Sequence, residues 1–373
     1  MVALPFDVSL GPPRFGAYEM SPVRNVSRRT RSQVTISDVA RQAGVSPMTV
    51  SRVINAEPNV REITRQAVLA AVQALNYAPN LAARSLATAE DVRIGVIYGN
   101  PSAAYLSEFL VGVLDESNGR HAQLLLVKTK AADGEAELAA VGQLIKSGVR
   151  GVLLPPPVSE SRVVRDALTA AGIATVGVAT GLFHADMSCV RIDDRQAAFD
   201  MTRHLLELGH RHIGFIKGHP NQTASAERLA GFKAALAKTK GARSGIVQGF
   251  FTFASGLDAG EQLLGRPEPP TAIFASNDDM AAAVVSVAHR RGLDVPRDLT
   301  VVGFDDTAVA TTLWPPLTTV RQPVSAMAAA GVELLLREVR ARRASTTPLP
   351  VDQVIAHTLV QRESAGPPRV RAS

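Results

Sequence analysis

The chain has 373 residues, 46% hydrophobic and 20% charged, with 40 Lys and Arg against 34 Asp and Glu and a formal net charge of +6. That length exceeds one small recognition module and fits a small domain followed by a larger, two-lobed one. Cys189 is alone, which excludes an internal disulfide or cysteine-built metal site and suits a reducing cytoplasm, and no apolar run is long enough to span a bilayer. The opening Met1 to Asp7 lacks the basic start and apolar run of a signal peptide. Residues 1–32, with their prolines and Arg28-Arg29, read as a disordered extension: a basic arm, or a stretch ahead of a start at Met20.

From Val34 to Asn55 the pattern predicts two short helices around a tight turn. Thr35 can cap the first with Asp38 completing a capping box, Ile36, Val39, Ala40 and Ala43 share one face, and Gly44 stops it. Ser46 can cap the second and Pro47 suits its first turn, so it should run from Pro47 to about Asn55 with Val50, Val53 and Ile54 inward. Pro47, Met48, Thr49, Ser51, Arg52 and Asn55 are left for the surface that enters a major groove in helix-turn-helix proteins, with Thr35 and Ser46 at the two helix starts completing the DNA-facing set. Arg52 can read guanine O6 and N7 through its planar fork, and Met48 and Pro47 offer apolar contact. The plainer alternative is a helical hairpin packed on a larger core.

Val68, Ala71, Val72 and Leu75 then predict a third helix between Val60 and Asn76 that closes a small core, with Arg61 and Arg65 outside. Between Met20 and Glu90, nine arginines stand against Asp38, Glu57, Glu62 and Glu90, a balance of nine minus four, or plus five, out of the chain's plus six. Phosphate contact follows naturally, although a basic solvated face would give the same count. In Asn76-Tyr-Ala-Pro-Asn-Leu-Ala-Ala-Arg-Ser-Leu86, Pro79 ends any continuous helix and Asn80 can cap a new one. That new helix is well below the ~12 to 15 residues needed for stability in water, so a partner must order it.

Ile36 to Asn55 together with Leu75 to Leu86 resembles the headpiece and hinge of the LacI/GalR, or lactose-repressor, family. The resemblance implies that hinge helices of two subunits pair in the minor groove. Leu86 would then wedge between base pairs, Ala83 would allow close approach, and Asn80 and Arg84 would touch the backbone or groove edges. The alternative is a plain interdomain linker.

After Glu90 short apolar runs alternate with amphipathic stretches. Strands are expected at residues 93–98, 122–127, 151–155, 174–178, 213–217, 246–250, 272–276 and 300–304, the alternation that gives parallel sheets covered by helices. The family resemblance continues to about Glu363 through Leu205-Leu-Glu-Leu-Gly-His-Arg-His-Ile-Gly-Phe215, Glu227-Arg-Leu-Ala-Gly-Phe232, Ser276-Asn-Asp-Asp-Met-Ala281 and Val301-Val-Gly-Phe-Asp-Asp306. It implies an all-α helix-turn-helix headpiece (33–78), a hinge (79–90) and an α/β two-lobed periplasmic-binding-protein-like effector domain (91–363), with parallel sheets flanked by helices. Residues 364–373 are expected to be a disordered tail. The chain should cross between lobes near Ile192 and again near Asp305 and Gln322.

By the same correspondence Arg228, Asn277, Asp305 and Phe251 carry ligand roles. Arg228 can fork onto a vicinal diol, Asn277 can donate and accept, Asp305 can accept from hydroxyls, and Phe251 can stack on a sugar ring. Tyr98, Asn100 and Tyr105, just past the first strand, would reach in from the opposite lobe. Arg228 and Asp305 could instead pair with one another, and Phe251 could be core.

The adjacent acids Asp278-Asp279 and Asp305-Asp306 need not converge, since neighbours on a strand point to opposite faces. His204, His210 and His212 resemble metal ligands only by number. No catalytic set, metal site or cofactor is therefore expected. The expectation is a cytoplasmic, nucleoid-associated, homodimeric DNA-binding transcription regulator, a repressor of a carbohydrate-utilisation operon that binds double-stranded operator DNA and is released by a sugar effector. It should have no membrane partner, and its tail has no leucine heptads of the kind that tetramerise relatives. The competing readings are a purine-type co-repressed regulator of the same family, a sugar-binding transport receptor, and a sugar-acting enzyme.

Overall fold

The computed structural model of the chain describes residues 34–54, 60–77, 92–130 and 133–369, which fall into two compact units, one before Glu90 and one from Glu90 onward. The extension at 1–32, Asn55, and the hinge residues Asn80, Ala83, Arg84 and Leu86 lie outside the described residues.

The first unit holds α1 (Ile36–Ala43), α2 (Pro47–Ile54) and α3 (Glu62–Ala74). The Asp38 carboxylate accepts from the Thr35 N–H at 3.0 Å and from the Thr35 hydroxyl at 2.7 Å, so the acid satisfies an orphan donor at the start of α1. These hydrogen bonds hold Asp38 below the usual carboxylate range. Gly44 ends α1 at φ 65°, a left-handed turn where a side chain would be strained. The Ser46 hydroxyl caps α2 by accepting from the Thr49 N–H at 3.1 Å. Val39, Ala40, Val50, Val53, Val68 and Ala71 form the buried core, with Ile54 half-buried at its edge. Arg61 is exposed as expected, whereas Arg65 lies half-buried beside Glu62 at 3.7 Å.

The second unit opens with β1 (Arg93–Tyr98), α4 (Ala103–Gly119), β2 (Gln123–Lys128), α5 (Gly134–Lys146), β3 (Gly151–Leu154), a short 3-10 turn (Val158–Glu160), α6 (Arg162–Ala170), β4 (Ala174–Val178) and β5 (Ser188–Arg191). It continues with α7 (Asp194–Glu207), β6 (His212–Lys217), α8 (Thr223–Ala237), β7 (Arg243–Gln248), α9 (Phe253–Leu264), β8 (Ala272–Ala275), α10 (Asp278–Arg290), β9 (Thr300–Asp305), α11 (Ala308–Thr312) and β10 (Thr318–Arg321). Last come α12 (Val324–Arg343), β11 (Asp352–Val354) and β12 (Thr358–Val360).

Two six-stranded sheets result, in the orders β11-β5-β4-β3-β1-β2 and β12-β10-β9-β8-β6-β7, parallel throughout except where β12 runs against β10. Each belongs to one lobe. The chain passes between lobes after β5 and after β10, where α12 returns to pack on α4 and the first sheet, and a third time between β11 and β12. Asp305 is therefore not at a crossing as expected: it ends β9, and the chain stays in the second lobe through α11 and β10 before crossing at Gln322-Pro323.

Two more expectations need correction. Strand β7 starts at Arg243 rather than Ile246, because its first residues pair with His212 and Ile213 of β6 despite being polar. Residues 364–369 are not a disordered tail: Ser364 is fully buried, its hydroxyl donates to the Val301 carbonyl at 2.6 Å, and the Thr318 N–H donates to it at 2.8 Å. The Gly366 carbonyl accepts from the Thr300 hydroxyl at 2.9 Å, so this segment finishes the second lobe.

Candidate functional site

In the first unit, Ser46, Pro47, Met48 and Arg52 are exposed while Val50 and Val53 of the same helix are buried. Thr49 and Ser51 are half-buried between the two faces, and the Thr49 and Ser46 hydroxyls lie 2.9 Å apart. Met48 leaves 64% of its surface to solvent at the first turn of α2, an apolar tip that the core does not use. Thr35 is exposed at the start of α1. The outer face of α2 thus presents one guanidinium and one thioether, with hydroxyls at its start and along its edge, groups able to contact base edges.

In the second unit, the carboxyl ends of both sheets meet at a cleft whose floor holds Arg228, buried and pinned from three sides. Its Nε donates to Asp194 Oδ1 at 2.7 Å, its Nη1 donates to the Ser276 carbonyl at 2.5 Å, and the guanidinium lies 3.5 Å from the centre of the Phe304 ring. Asp305 sits 3.7 Å from Nη1 and accepts from Gln322 Nε2 at 2.6 Å. Arg228 and Asp305 do pair, as the plainer reading allowed, but the closer partner is Asp194. Nε and one Nη1 hydrogen are committed, so the remaining Nη1 and Nη2 hydrogens are what Arg228 has left for a diol.

Burial pushes Asp194 upward against the pull of Arg228. Burial likewise raises Asp305 to about 7, with Arg228 and Gln322 pulling the other way and Asp279 and Asp194 adding to the rise. Asp278, deeper still, is raised well above the carboxylate range by burial and by the neighbouring Asp305, even though Thr319 and Thr307 donate to it at 2.6 and 2.8 Å. Asp305 and Asp306 adopt φ of 113° and 61°, and their carboxylates diverge. Asp306 goes to Arg321 and Arg362, each at 2.6 Å. The Asp305 and Asp306 carboxylates go to different partners, and no group of three His, Cys, Asp or Glu among the described residues is placed to hold a metal ion. His210 is a staple: its Nε2 donates to the Gly366 carbonyl at 2.9 Å and its Nδ1 lies 2.9 Å from the Thr271 hydroxyl.

Asn100, Tyr105, Arg228, Phe251, Asn277 and Asp305 all line one inner cavity of ≈ 30 Å³. That is room for about one water, so a larger ligand enters only as the lobes part. Asn277 has structural duties there, accepting from the Met280 N–H at 3.0 Å to cap α10 and donating to the Phe251 carbonyl at 3.1 Å. Phe251, at φ 61°, lies against Gly218, where a Cβ would sit 1.9 Å from the ring. Tyr98 is placed elsewhere, in an outer chamber of ≈ 950 Å³ that shares only Asn100 and Gln222 with the inner cavity. Residues to which the sequence reading gave no ligand role complete the site: Asp194 and Phe304 against Arg228, and Gln222 and Gln322 in the cavity wall. Asp194 had a faint signal as the second of two acids at a helix start, where Asp193 caps α7 through the Gln196 N–H and frees its neighbour to turn inward.

Residues 35–80 match the family model described as bacterial regulatory proteins, lacI family, and residues 202–365 match that of a periplasmic binding protein-like domain. The chain is 34% identical to the HTH-type transcriptional regulator GalR of Escherichia coli (strain K12), over 91% of this chain and 98% of the relative. Among solved structures, a transcriptional regulator CelR-cellobiose complex is 31% identical with a TM-score of 0.67. The lac repressor dimer bound to operator and the anti-inducer ONPF is 27% identical with a TM-score of 0.74. Both similarities cover 89% of this chain and 99% of the other.

Proposed function

Since this chain belongs to the lacI family of bacterial regulatory proteins and is a DNA-binding transcriptional regulator, we propose that it is a homodimeric repressor of a carbohydrate-utilisation operon, released when a sugar effector binds between its lobes. It acts on operator DNA at the nucleoid in the cytoplasm and catalyses nothing. The observation that carries the effector reading is the cleft floor, where Arg228, Asp305 and the aromatic face of Phe251 converge on one cavity. Such a set holds hydroxyls by hydrogen bonds and a ring by stacking. The solved cellobiose complex of a similar regulator supports a saccharide as the ligand class.

The switch is geometric. A ligand held by both lobes fixes their angle, and that angle governs the separation of the two hinge segments (79–90) in the dimer, so it decides whether paired hinge helices form on DNA with Leu86 at the operator centre. Residues 33–78 are the reading headpiece and 91–363 the ligand-binding and dimerising body. Of the described residues, no helix is long and apolar enough to cross a membrane.

The test is selection of a binding site from random duplex, followed by titration with mono- and disaccharides at fixed salt. The expected result is a nearly palindromic site whose affinity falls when one sugar is added. Binding strengthened by a nucleobase would favour the co-repressed alternative, and equal affinity for selected and random duplex would end the reading. Leu86→Ala should weaken specific binding far more than non-specific binding; equal losses would count against the wedge.

A further inference from the structure

The inner cavity and the outer chamber differ in charge. Of the residues that line the outer chamber, Lys128 and Lys130 carry positive charge, and none is a carboxylate. His219 accepts from the Asn221 N–H through Nδ1 at 3.2 Å, which leaves Nε2 as the nitrogen that can donate. Two further donors belong to residues that line this space. The Thr129 hydroxyl and the Gln222 amide nitrogen are both buried and without a hydrogen-bond partner, in residues only 7% and 6% exposed. A buried donor left unpaired costs free energy, and groups of that kind in an otherwise satisfied protein mark a place where a partner belongs.

All of these groups donate, and the matching ligand group is one that only accepts. The inner cavity differs, with Asp305 as an acceptor beside Arg228, which is itself paired to Asp194. A second groove, ≈ 550 Å³ beside α4 and the start of α12, is lined by Glu108, Asp115, Glu116 and Asp306 against the single cation Arg321, which is paired to Asp306, so its balance is acidic. The outer chamber is thus lined by lysines without a carboxylate, whereas Asp305 stands in the inner cavity and four acids line the second groove.

We propose that the outer chamber is an anion subsite and that the effector is a sugar carrying a negatively charged substituent, a phosphate ester or a carboxylate. Its hydroxyls meet Arg228 and Asp305, its ring passes between Asn100 and Gln222, and its charged group lies among Lys128, Lys130, the Thr129 hydroxyl and the Gln222 amide. This rests on the sugar-effector reading above and narrows it.

Isothermal titration of the full-length protein with glucose, galactose, fructose and mannose, their 6-phosphates (the 1-phosphates of galactose and fructose), glucuronate, galacturonate, cellobiose and inorganic phosphate tests it. One phosphorylated or uronic sugar should bind about tenfold or more tightly than its neutral parent, because charge-assisted hydrogen bonds are roughly twice as strong as neutral ones. Phosphate esters against uronates distinguish the two sources of charge. The double variant Lys128→Ala/Lys130→Ala should erase that ratio and leave neutral-sugar affinity unchanged, while Lys128→Arg/Lys130→Arg preserves it. Thr129→Val, which removes the orphan hydroxyl in an isosteric way, should lower affinity for the anionic sugar without lowering the melting temperature. A neutral hexose or cellobiose that binds as tightly as every anionic sugar overturns the proposal and leaves the sugar reading intact. So does an unchanged ratio in the double alanine variant. Binding of no sugar of either kind overturns both.

Discussion

The Glu160 carboxylate accepts a 2.5 Å hydrogen bond from the Thr223 hydroxyl, tying the 3-10 turn of the first lobe to the first turn of α8 in the second. The Thr223 N–H also donates to Glu160 at 3.3 Å, and the Gly181 N–H of the first lobe donates to the Thr223 hydroxyl at 3.0 Å. The two backbones approach so closely here that a Cβ on Gly181 would lie 2.2 Å from the Ala224 nitrogen. This is a latch on the closed cleft. Thr223→Val removes the hydroxyl that joins both contacts, and a hydrogen bond to a charged group contributes about 1.5 to 3 kcal/mol. The variant should open in the absence of ligand, with a larger radius of gyration in solution scattering and effector affinity reduced several-fold. An unchanged radius and affinity would show that the latch does not hold the lobes.

Asp305 gives the cleft a pH dependence with a defined sign. Its pKa rises from 3.8 to about 7 on folding, so the folded protein holds this proton more tightly than the unfolded chain. The contribution to stability is full below the unfolded value and is lost as pH rises through about 7. Asp305→Asn keeps a carbonyl for Gln322 and removes the ionisation. Its melting temperature should match that of the parent near pH 4 and exceed it above pH 7, while its effector affinity falls at every pH. A parent and variant that track each other from pH 4 to 8 would exclude this role for Asp305.

The parts of the molecule legible in sequence are those where burial is complete and continuous. Strands β1, β3, β4 and β8 are runs such as Gly151-Val-Leu-Leu154 and Ala272-Ile-Phe-Ala275, apolar because helices cover both faces of a parallel sheet. Strands β5 (Ser188–Arg191) and β10 (Thr318–Arg321) are as short as β3 and β8 but carry Ser, Thr and Arg in place of an apolar run, while β11 and β12 have three residues each and β11 is exposed throughout, so no apolar pattern marks them. The buried end of the second lobe, Ser364 to Gly366, was hidden for the same reason: polar residues there are held by hydrogen bonds to Thr300, Val301 and Thr318, and no apolar pattern marks them. In the cleft, Arg228, Asn277 and Asp305 stood in recognisable motifs. Asp194 and Gln222 did not, because what matters about them is a partner or the lack of one 34 residues or more away in the chain, or in a ligand.

The Asp194–Arg228 pair separates stability from ligand contact. Both side chains are almost wholly buried, at 2% and 5% exposed, so removing one partner strands a charge in the interior. Such a loss typically costs about 3 to 5 kcal/mol. Arg228→Met should therefore unfold at a much lower urea concentration than the parent. Asp194→Asn/Arg228→Met, which removes both charges, should recover much of that stability and still fail to bind effector. If the double variant is as unstable as the single one, the pair is not the source of the loss.

Arg52 and Met48 sit on the same exposed face of α2 and should fail in different ways when changed. An arginine that forks onto guanine contributes about 1 to 3 kcal/mol of discrimination at one base pair. Arg52→Ala should therefore weaken binding to the selected operator and flatten the preference at one position in each half-site. Met48 can make only apolar contact, for example with a thymine methyl, so Met48→Ala should cost less and leave the salt dependence of binding unaltered, because no phosphate contact is lost. Neither variant should change the sugar affinity of the full-length protein. Uniform loss across all sequences for Arg52→Ala, with a shallower salt slope, would reassign that residue from reading bases to holding phosphate.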